Sequence, residues 1–370
     1  MKHIHFFLTV WTLLLLQNCG ATQQAQKATN NSSKPVVVNA NSQQTTASGT
    51  LRAAFYNVEN LFDTKDDTNK NDDDFLPTGK NEWNAERYQT KLERISEVLN
   101  KIGDGKMPDI VGLCEVENLS VLQDVVKQSG SKAAIVHFDS PDERGIDVAL
   151  LYNPQTFKLV EKQALPVKLS DDYTRDILYT KGTIPNGEYL HVFVNHWPSR
   201  REGTEQSEIK RVTAAKVLKR KLDEIFQSEP NAKVIITGDF NDEPENNSLT
   251  QALSTKNTYN NLSNADLFNT SYALKQRGEG TLVYNKEWNL FDQFIVSGAA
   301  INDKKGLRIA PENSYVFRPK QPLHVEKDGK KKWITYRDKD GNESPNKTYG
   351  GNKYYGGYSD HLPVYLDISY

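Results

Sequence analysis

From residue 51 to the C-terminus, short apolar runs alternate with longer amphipathic stretches along the chain. The short runs are rich in Val, Ile, Leu, Phe and Tyr, which favour pleated, half-buried surfaces, so they predict β-strands. These runs are 51–58, 109–116, 133–138, 146–152, 189–195, 233–237, 290–297 and 362–368. No repeat of fixed period and no second linker divides this region, which favours a single domain.

Three longer stretches have the periodicity of amphipathic helices. In 84–102 the apolar residues recur every three or four positions and so share one face; they are Tyr88, Leu92, Ile95, Leu99 and Ile102. The stretch 208–226 repeats this pattern, and 120–128 does so more weakly. Because strands outnumber helices, the pattern predicts two packed sheets covered by helices on their outer faces.

Two segments follow neither pattern. The acidic loop 63–74 lacks the central glycine and the terminal glutamate of an EF-hand, so it predicts a solvated loop rather than a calcium site. The segment 303–353 is rich in Lys, Asn, Asp and Gly and predicts a long excursion on the surface.

The first fifty residues are typical of an export signal followed by a tether. An apolar run at 6–16 follows Lys2 and is too short to span a bilayer, so residues 1–18 predict a signal peptide. The sequence Leu-Gln-Asn-Cys-Gly at 16–20 resembles a bacterial lipoprotein signal in which Cys19 is lipidated; the alternative is a chance cysteine near an ordinary cleavage site. Residues 19–50 are dominated by polar and small side chains and predict a flexible linker. We therefore expect an exported cell-envelope lipoprotein that contacts the membrane through Cys19.

Composition narrows the choice of partners only slightly. Hydrophobic residues make up 37% and charged residues 25% of the chain, as in a globular protein. The net charge of -2 exerts no general attraction on polyanions. Any contact with nucleic acid must therefore come from a local basic patch.

Polar residues follow directly where apolar strands end, and the clearest case is the run from 233 to 242. Its buried strand leads into Gly-Asp-Phe-Asn, and Asp239 and Asn241 lie two residues apart, on the same side of an extended chain. One side chain could orient a water while the other binds a metal or a phosphate oxygen. Taken alone, the motif could equally be a turn with a self-capping asparagine.

Similar residues adjoin the last two predicted strands. Asp360 and His361 directly precede the final strand and offer hard oxygen ligands and a group that transfers protons near neutral pH. Asp292 lies within an apolar strand, where an ionised carboxylate needs a partner. Pairing with a histidine would satisfy it and would fix the tautomer of the imidazole.

Earlier strands contribute further polar ends. Asn57 ends the first strand and Glu115 the second, although the pattern separates Glu115 from Glu117 only weakly. His196 ends another strand and is followed by two arginines, of which Arg200 could clamp a phosphate. Arg175 could also contact a phosphate, or could form a structural ion pair beside a strand.

The order of these residues along the chain resembles that of the endonuclease/exonuclease/phosphatase superfamily: Asn57, Glu115, His196 with Asn195 before it, the Gly-Asp-Phe-Asn motif at 238–241, Asp292, and the Ser-Asp-His-Leu-Pro-Val motif at 359–364. The resemblance spans residues 51–370, which are thus expected to form the catalytic domain. It implies an α/β fold, a four-layered α/β sandwich in which two central, mostly antiparallel sheets are flanked by helices. It also implies roles. Glu115, Asn57 and Asp360 would hold Mg²⁺ or Mn²⁺, Asp239 would orient water, and Asn241 would bind the phosphate. His361, supported by Asp292, would act as general base or phosphate contact, and His196 would stabilise the transition state.

Three functions are compatible with this resemblance. The first is an exported, metal-dependent nuclease with DNA or RNA as its substrate and no obligate protein partner. The second is a phospholipid hydrolase of the sphingomyelinase type or an inositol-phosphate hydrolase, which a membrane tether would favour by proximity. The third is a surface binding module that has lost catalysis, which the complete set of polar residues argues against. A fold alone does not separate the first two.

Overall fold

The computed structural model describes residues 48–170, 172–284 and 286–370. These residues belong to one compact unit, Thr46–Tyr370. The predicted signal peptide, Cys19 and nearly all of the predicted linker lie outside the described residues.

The first large sheet has six strands. In spatial order they are β14 (Ser314–Val316), β21 (Val364–Ser369), β1 (Thr50–Leu61), β2 (Ile110–Val116), β4 (Asp147–Tyr152) and β3 (Ala134–His137). The central strands β1 and β2 are parallel, and the remaining neighbours are antiparallel. The sheet therefore has one parallel pair within an antiparallel frame.

The second large sheet has seven strands and also has a parallel pair at its centre. In spatial order they are β5 (Lys158–Leu165), β6 (Ile177–Thr183), β7 (Tyr189–His196), β8 (Val234–Asp239), β13 (Asp292–Ser297), β10 (Leu267–Asn269) and β9 (Thr255–Lys256). Strands β7 and β8 are parallel, as are β9 and β10, and the other pairs are antiparallel.

Helices cover the outer faces of both sheets. They are α1 (Ala85–Ile102) and α2 (Leu119–Gln128) on the first sheet, α3 (Glu208–Ser228) on the second, and the short α4 (Tyr272–Gln276) and α5 (Gly298–Asn302). Asn84 and Asn118 cap α1 and α2, because their side chains accept hydrogen bonds from backbone N–H groups in the first turns. The order of helix, sheet, sheet and helix confirms the predicted four-layered sandwich.

The alternation of side chains along the second sheet separates two cores. Val192 and Val194 of β7 point inward to the core that lies between the sheets, whereas Phe193 points outward. Strand β8 behaves in the same way, with Ile235 inward and Ile236 outward against α3. Because successive side chains alternate between faces, one strand serves both cores and is buried throughout.

Every predicted strand and helix overlaps an observed one, but β5, β6, β9 and β10 of the second sheet and the short helices α4 and α5 were not predicted. Strand β5 lies at a sheet edge and is mostly exposed, so its sequence carries charges instead of an apolar run. Strand β6 is largely buried but is interrupted by Lys181 and Gly182. Gly182 is required there, since a Cβ would lie 2.4 Å from the ring of Phe157.

The predicted excursion at 303–353 is more structured than expected. It contributes β14 to the first sheet and forms three hairpins, β15 (His324–Val325) with β16 (Lys331–Lys332), β17 (Thr335–Arg337) with β18 (Glu343–Pro345), and β19 (Tyr349–Gly350) with β20 (Lys353–Tyr354). One further hairpin, β11 (Leu282–Tyr284) with β12 (Glu287–Asn289), precedes β13. No helix among the described residues is long and apolar enough to cross a membrane.

Candidate active site

The polar side chains of the candidate site meet because both sheets have a central parallel pair. The carboxyl ends of β1 and β2 lie at one edge of the first sheet, and those of β7 and β8 at one edge of the second. The antiparallel neighbours β13 and β21 begin at these same edges, which places Asp292 and His361 there. A hydrogen bond of 3.1 Å from Asn57 Nδ2 of β1 to Asp239 Oδ2 of β8 joins the two edges.

Asp239 lies at the centre of this arrangement. Its Oδ2 lies 3.8 Å from His196 Nε2 and 3.9 Å from His361 Nε2, and its Oδ1 accepts the backbone N–H of Asn241 at 2.9 Å. Burial, reinforced by the charge of Asp292, raises the pKa of Asp239 to about 6 although His361 acts in the opposite direction. The position thus holds a basic carboxylate out of bulk water.

Gly238 allows β8 to reach this position. It pairs with Asn195 across the parallel β7–β8 ladder, where a Cβ would lie 2.4 Å from the carbonyl oxygen and 2.6 Å from the Cβ of Asn195. Contacts this short do not occur between real atoms. The glycine of the Gly-Asp motif therefore allows the two strands to pack closely. The side chain of the aspartate faces the space between the joined edges of the two sheets, which we call the cleft.

His361 and Asp292 form the predicted pair. His361 Nδ1 lies 2.7 Å from Asp292 Oδ2, and both side chains are buried. Burial opposes protonation of His361, yet Asp292, Asp239 and Asp360 together raise its pKa well above the usual value. The ring therefore directs Nε2 toward Asp239 while Nδ1 is held by a carboxylate.

His196 faces Asp239 and Glu115 from β7. Its Nε2 lies 3.8 Å from Asp239 Oδ2 and 3.9 Å from Glu115 Oε1. Burial lowers the pKa of His196 well below its usual value, and the charges of Arg175 and Arg144 act in the same direction. A neutral imidazole here can donate or accept a hydrogen bond at Nε2.

A β-bulge directs Glu115 into the cleft. The register of β2 shifts between Cys114 and Val116, and Glu115 has a φ of 60°. Its Oε2 accepts the backbone N–H of Asn60 at 2.9 Å. Glu117, which the sequence could not separate from Glu115, instead accepts the backbone N–H of Asp63. The structure therefore places Glu115, not Glu117, beside Asp239.

Asn57 is oriented differently from a metal ligand. Its Oδ1 accepts the backbone N–H of Glu59 at 3.0 Å, and its Nδ2 faces Asp239 at 3.1 Å and Glu115 at 3.4 Å. This orientation turns the N–H groups, not the oxygen, toward the carboxylates. Asn57 thus positions two acids, and its predicted metal contact stays a prediction.

Behind this cluster lie two residues that the sequence analysis did not identify, Glu59 and Lys91. Glu59 accepts the backbone N–H groups of Thr348 and Tyr349, at 2.6 and 3.1 Å. Lys91 of α1 is buried and donates to Thr348 Oγ1 and to the carbonyl of Tyr358, with Nζ 3.9 Å from Glu59. A lysine on the apolar face of a helix is the sequence signal that could have revealed this buried ion pair.

The donors in the cleft fit a hard divalent cation. Desolvation, together with the negative charges of Glu59 and Glu115, raises the pKa of Asp360 to about 7. Half of the Asp360 side chain is nevertheless exposed to the cleft, so a cation can reach it. Crowded carboxylate oxygens are the ligands that Mg²⁺ and Mn²⁺ prefer. Glu115 and Asp360 are thus the residues suited to hold the ion.

Asn241 packs against the loop after β7. It has a φ of 51°, and its Nδ2 donates to the carbonyl of Trp197 at 2.9 Å. The amide carries a second hydrogen, which can donate to a phosphate oxygen. The backbone of Asn241 in turn donates to Asp239, so the motif orients both side chains.

Arg200 makes structural contacts, and its predicted phosphate contact stays a prediction. Its Nε donates to the carbonyl of Asn241, and its Nη2 donates to Asp242 at 2.7 Å and to Asn246 at 2.9 Å. The guanidinium also stacks over the ring of Phe291. Its Nε and Nη2 groups therefore hold the loop that follows Asp239.

We expect Arg200→Ala to lower the free energy of unfolding by about 2 kcal/mol, because it leaves the buried Asp242 with fewer partners. Urea denaturation of the purified protein measures this change. Arg220→Ala, at an exposed position on α3, is the matched control and should stay within about 0.5 kcal/mol of wild type. Equal stabilities for the two variants would contradict the structural role of Arg200.

Three other arginines act on His196 through their charges. Arg175 is buried; it donates to Asp142 at 3.1 Å and to the carbonyl of Trp197 at 2.8 Å. Arg144 and Arg201 are near enough to lower the pKa of His196. Arg201 follows Arg200 in the sequence, whereas Arg144 was not among the predicted phosphate contacts.

Solved structures share this fold. The chain aligns with humanized D. rerio TDP2 at a TM-score of 0.54 and 14% identity, covering 86% of this chain and 98% of that one. D. rerio TDP2 complexed with a single-strand DNA product aligns at 0.52 and 15% identity, covering 86% and 98%. A mannosyl-6-phosphatase from Bacteroides thetaiotaomicron aligns at 0.51 and 17% identity, covering 86% and 100%. No curated protein sequence matches this chain.

The sequence model of the Endonuclease/Exonuclease/phosphatase family matches residues 52–370, nearly the whole described unit. The fold agrees with that match, as do the central parallel pairs β1–β2 and β7–β8 and the acids and histidines at their ends. Such a fold supports hydrolysis of phosphoesters. The chain belongs to the endonuclease/exonuclease/phosphatase family.

Proposed function

We propose that the protein is a divalent-metal-dependent phosphodiesterase that cleaves nucleic acid outside the cytoplasm. The observation that carries the hydrolytic part is the convergence on Asp239, which contacts Asn57 and faces His196 and His361 within 4 Å. These groups can activate a water, bind a phosphate and stabilise developing charge in one place.

The chain's own residues account for most of the hydrolysis. Asp239 accepts a proton from a water while the water oxygen forms its bond to phosphorus. His361 and His196, whose Nε2 atoms lie within 4 Å of Asp239 Oδ2, would donate hydrogen bonds to the non-bridging oxygens of a phosphate bound there, where charge develops. The bond to the leaving oxygen breaks, and that oxygen takes a proton from solvent. Asn57 keeps Asp239 aligned for this step, and Asp292 keeps His361 aligned.

A divalent ion held by Glu115 and Asp360 would supply Lewis-acid neutralisation of the phosphate charge. The crowding of acids around Asp360 supports this assignment, because without a cation the carboxylates repel one another.

The positive charge around the site supports a diester of nucleic acid as substrate. Arg144, Arg175 and Arg201 all line one cavity, and the charges of all three lower the pKa of His196. Guanidinium groups bind phosphate oxygens well. The structural similarity to TDP2 complexed with a single-strand DNA product is compatible with a nuclease. The similarity to a mannosyl-6-phosphatase makes a phosphomonoesterase the second candidate.

We expect the full chain, supplied with Mg²⁺ or Mn²⁺, to cleave DNA or RNA oligonucleotides, and excess EDTA to abolish the activity. Restoring Mn²⁺ should return it, because the ligands remain folded in place. Electrophoresis of labelled oligonucleotides measures cleavage, and released phosphate measures hydrolysis of mannose 6-phosphate and inositol phosphates. Sphingomyelin is assayed in parallel.

The outcomes separate the candidates. Cleavage of a sugar phosphate with no cleavage of oligonucleotides would replace the nuclease with a phosphomonoesterase. Hydrolysis that persists in excess EDTA would contradict the proposed dependence on a divalent metal ion. His361→Ala is the control for contaminating nuclease, since it removes the ring that faces Asp239 and should reduce activity by at least about 10².

We also propose that the protein is anchored to the cell envelope through a lipid on Cys19. The support is the apolar run at 6–16, the lipoprotein-like sequence at 16–20 and the polar linker after it. Metabolic labelling with a palmitate analogue should mark the wild-type protein and fail to mark Cys19→Ser. Labelling of both, or of neither, would rule out an anchor at this cysteine.

A further inference from the structure

Two cavities lie beside the catalytic groups and share Arg144 and Arg201 as walls. The first, which we call the aromatic cavity, has a volume of about 310 Å³ and is lined by Phe62, Phe75, Tyr349 and several asparagines. The second, the polar cavity, has a volume of about 240 Å³ and is lined by Tyr173, Thr174, Arg175 and Lys210 among others. Neither cavity contains Asp239 or His361. Arg144 and Arg201 therefore lie between two cavities next to the site of hydrolysis.

The aromatic cavity offers a flat apolar wall and unused amides. The rings of Phe62 and Phe75 stack at 4.4 Å, and Tyr349 meets Phe75 edge-on at 6.5 Å. Four asparagines also line the cavity: Asn60, Asn71, Asn81 and Asn352. Within the described part of the chain, their side-chain amides bond to no protein group. An amide presents a donor and an acceptor side by side, which is the arrangement that pairs with the edge of a nucleobase.

The polar cavity has buried polar atoms in need of a partner. Thr174 Oγ1 and Arg175 Nε make no hydrogen bond to the described residues, although Thr174 is 2% and Arg175 7% exposed. Unpaired buried donors are costly, so a ligand that supplies acceptors would be favoured here. Lys210 does not serve this purpose, because Asp172 and Glu202 already pair with it. Phosphate and sugar oxygens have the required chemistry, and the exposed ring of Tyr173 stands at the rim.

The charges of Arg144 and Arg201 are available to such a ligand. Arg201 is exposed and forms no ion pair with a described residue, and Arg144 has only a long contact of 3.7 Å to Asp142. Acidic groups also line both cavities, namely Glu59 and Asp74 in the aromatic one and Asp142, Glu143, Asp172 and Glu202 in the polar one. Most are engaged: Glu59 by backbone N–H groups, Asp142 by Arg175, and Asp172 and Glu202 by Lys210.

We propose that the two cavities are neighbouring nucleotide subsites for one unpaired strand, with a base in the aromatic cavity and the adjoining sugar-phosphate in the polar cavity. Arg144 and Arg201 contact the backbone between them. This inference rests on the proposed nuclease function and specifies its substrate as single-stranded. A base in a duplex has its edge occupied and its faces stacked, so it cannot reach the amides without leaving the helix.

A cycle of substrate and protein changes tests this assignment. The substrates are a single-stranded oligonucleotide and the same strand with one base removed next to the scissile phosphate, on either side in turn. The proteins are the wild-type full chain and the double variant Asn71→Ala/Asn352→Ala. For one of the two sides, removing the base should lower kcat/KM by about tenfold in the wild type and by less than about twofold in the double variant.

Two controls accompany the cycle. Asn260→Ala removes an exposed amide between β9 and β10 that lines neither cavity, so it should respond to base removal as the wild type does. A blunt duplex of the same sequence should be cleaved at least about tenfold more slowly than the single strand. Thermal unfolding of each variant shows whether a loss of rate is a loss of fold.

The outcomes distinguish failure of the subsites from failure of the nuclease. One outcome is that the wild type cleaves oligonucleotides while base removal lowers kcat/KM by the same factor in both proteins. That result would contradict the proposed subsites and would leave the proposed nuclease activity supported. If the wild type cleaves no oligonucleotide and hydrolyses mannose 6-phosphate, both are wrong. Equal cleavage of duplex and single strand also overturns the assignment.

Discussion

Asp239→Asn is expected to lower kcat/KM for phosphoester hydrolysis on the order of 10³-fold, since the neutral amide cannot accept a proton from water. The substitution keeps the size and shape of the side chain, but Asn57 and the backbone of Asn241 donate to different oxygens of Asp239, so the single oxygen of asparagine retains only one of the two hydrogen bonds. Steady-state kinetics with the best oligonucleotide substrate measures the effect. The loss should fall on kcat more than on KM, because the arginines that bind the substrate are unchanged.

Stability should respond to this change much less than activity. The raised pKa of Asp239 means that its ionised form is less favourable in the fold than in the unfolded chain, and this cost is fully present above pH 6. Asparagine removes this cost, but it replaces one of the two acceptor oxygens by an NH2 group and makes the remaining hydrogen bond a neutral one. We therefore expect the free energy of unfolding in EDTA to stay within about 1 kcal/mol of wild type.

Asp303→Asn is the matched control for this prediction. Asp303 accepts the backbone N–H groups of Lys305 and Gly306 and pairs with Lys233, away from the cleft. Its substitution should lower stability and leave kcat/KM near that of the wild type. A variant Asp239→Asn that keeps more than a tenth of wild-type activity would show that Asp239 does not accept the proton.

The sequence revealed the residues at strand ends because the relevant information was local. Asp239 and His361 each adjoin an apolar run, and a polar group at such a boundary is visible without knowing what lies opposite. Glu115 could be separated from Glu117 only by the bulge at Cys114, which changes which side chain reaches the cleft. Such a bulge depends on pairing between strands and has no signature in one strand alone.

Arg200 and Arg201 show that local sequence does not determine the role of a residue whose partners are distant in the chain. Arg200 and Arg201 are adjacent, and nothing in their own segment decides which one faces the cleft. That choice depends on Asp242 and Asn246, which lie more than forty positions along the chain and engage Arg200. The orientation of the Asn57 amide likewise depends on Asp239, 182 residues away. Long-range partners of this kind decide roles that residue type leaves open.

Lys91→Met is expected to lower the free energy of unfolding by about 3 kcal/mol or more, because it removes the cation from a buried ionic group. Lys91 is 1% exposed and Glu59 7%, and the lysine also donates to Thr348 and to the carbonyl of Tyr358. Burial lowers the pKa of Lys91 while the charge of Glu59 opposes that shift. Methionine fits the space but leaves a buried carboxylate and two acceptors without their charged partner. Urea denaturation measures the loss.

Two further variants show that the loss arises from the uncompensated charge. Lys101→Met, at an exposed position in the last turn of the same helix, should change stability by less than about 0.5 kcal/mol. The double variant Lys91→Met/Glu59→Gln should recover part of the stability, because a neutral amide at position 59 needs no cation and its oxygen can still accept from the Thr348 backbone. If the double variant is no more stable than Lys91→Met alone, the ion pair is not the cause. The lysine would then stabilise the segment beneath Asp360 through its hydrogen bonds to Thr348 and Tyr358.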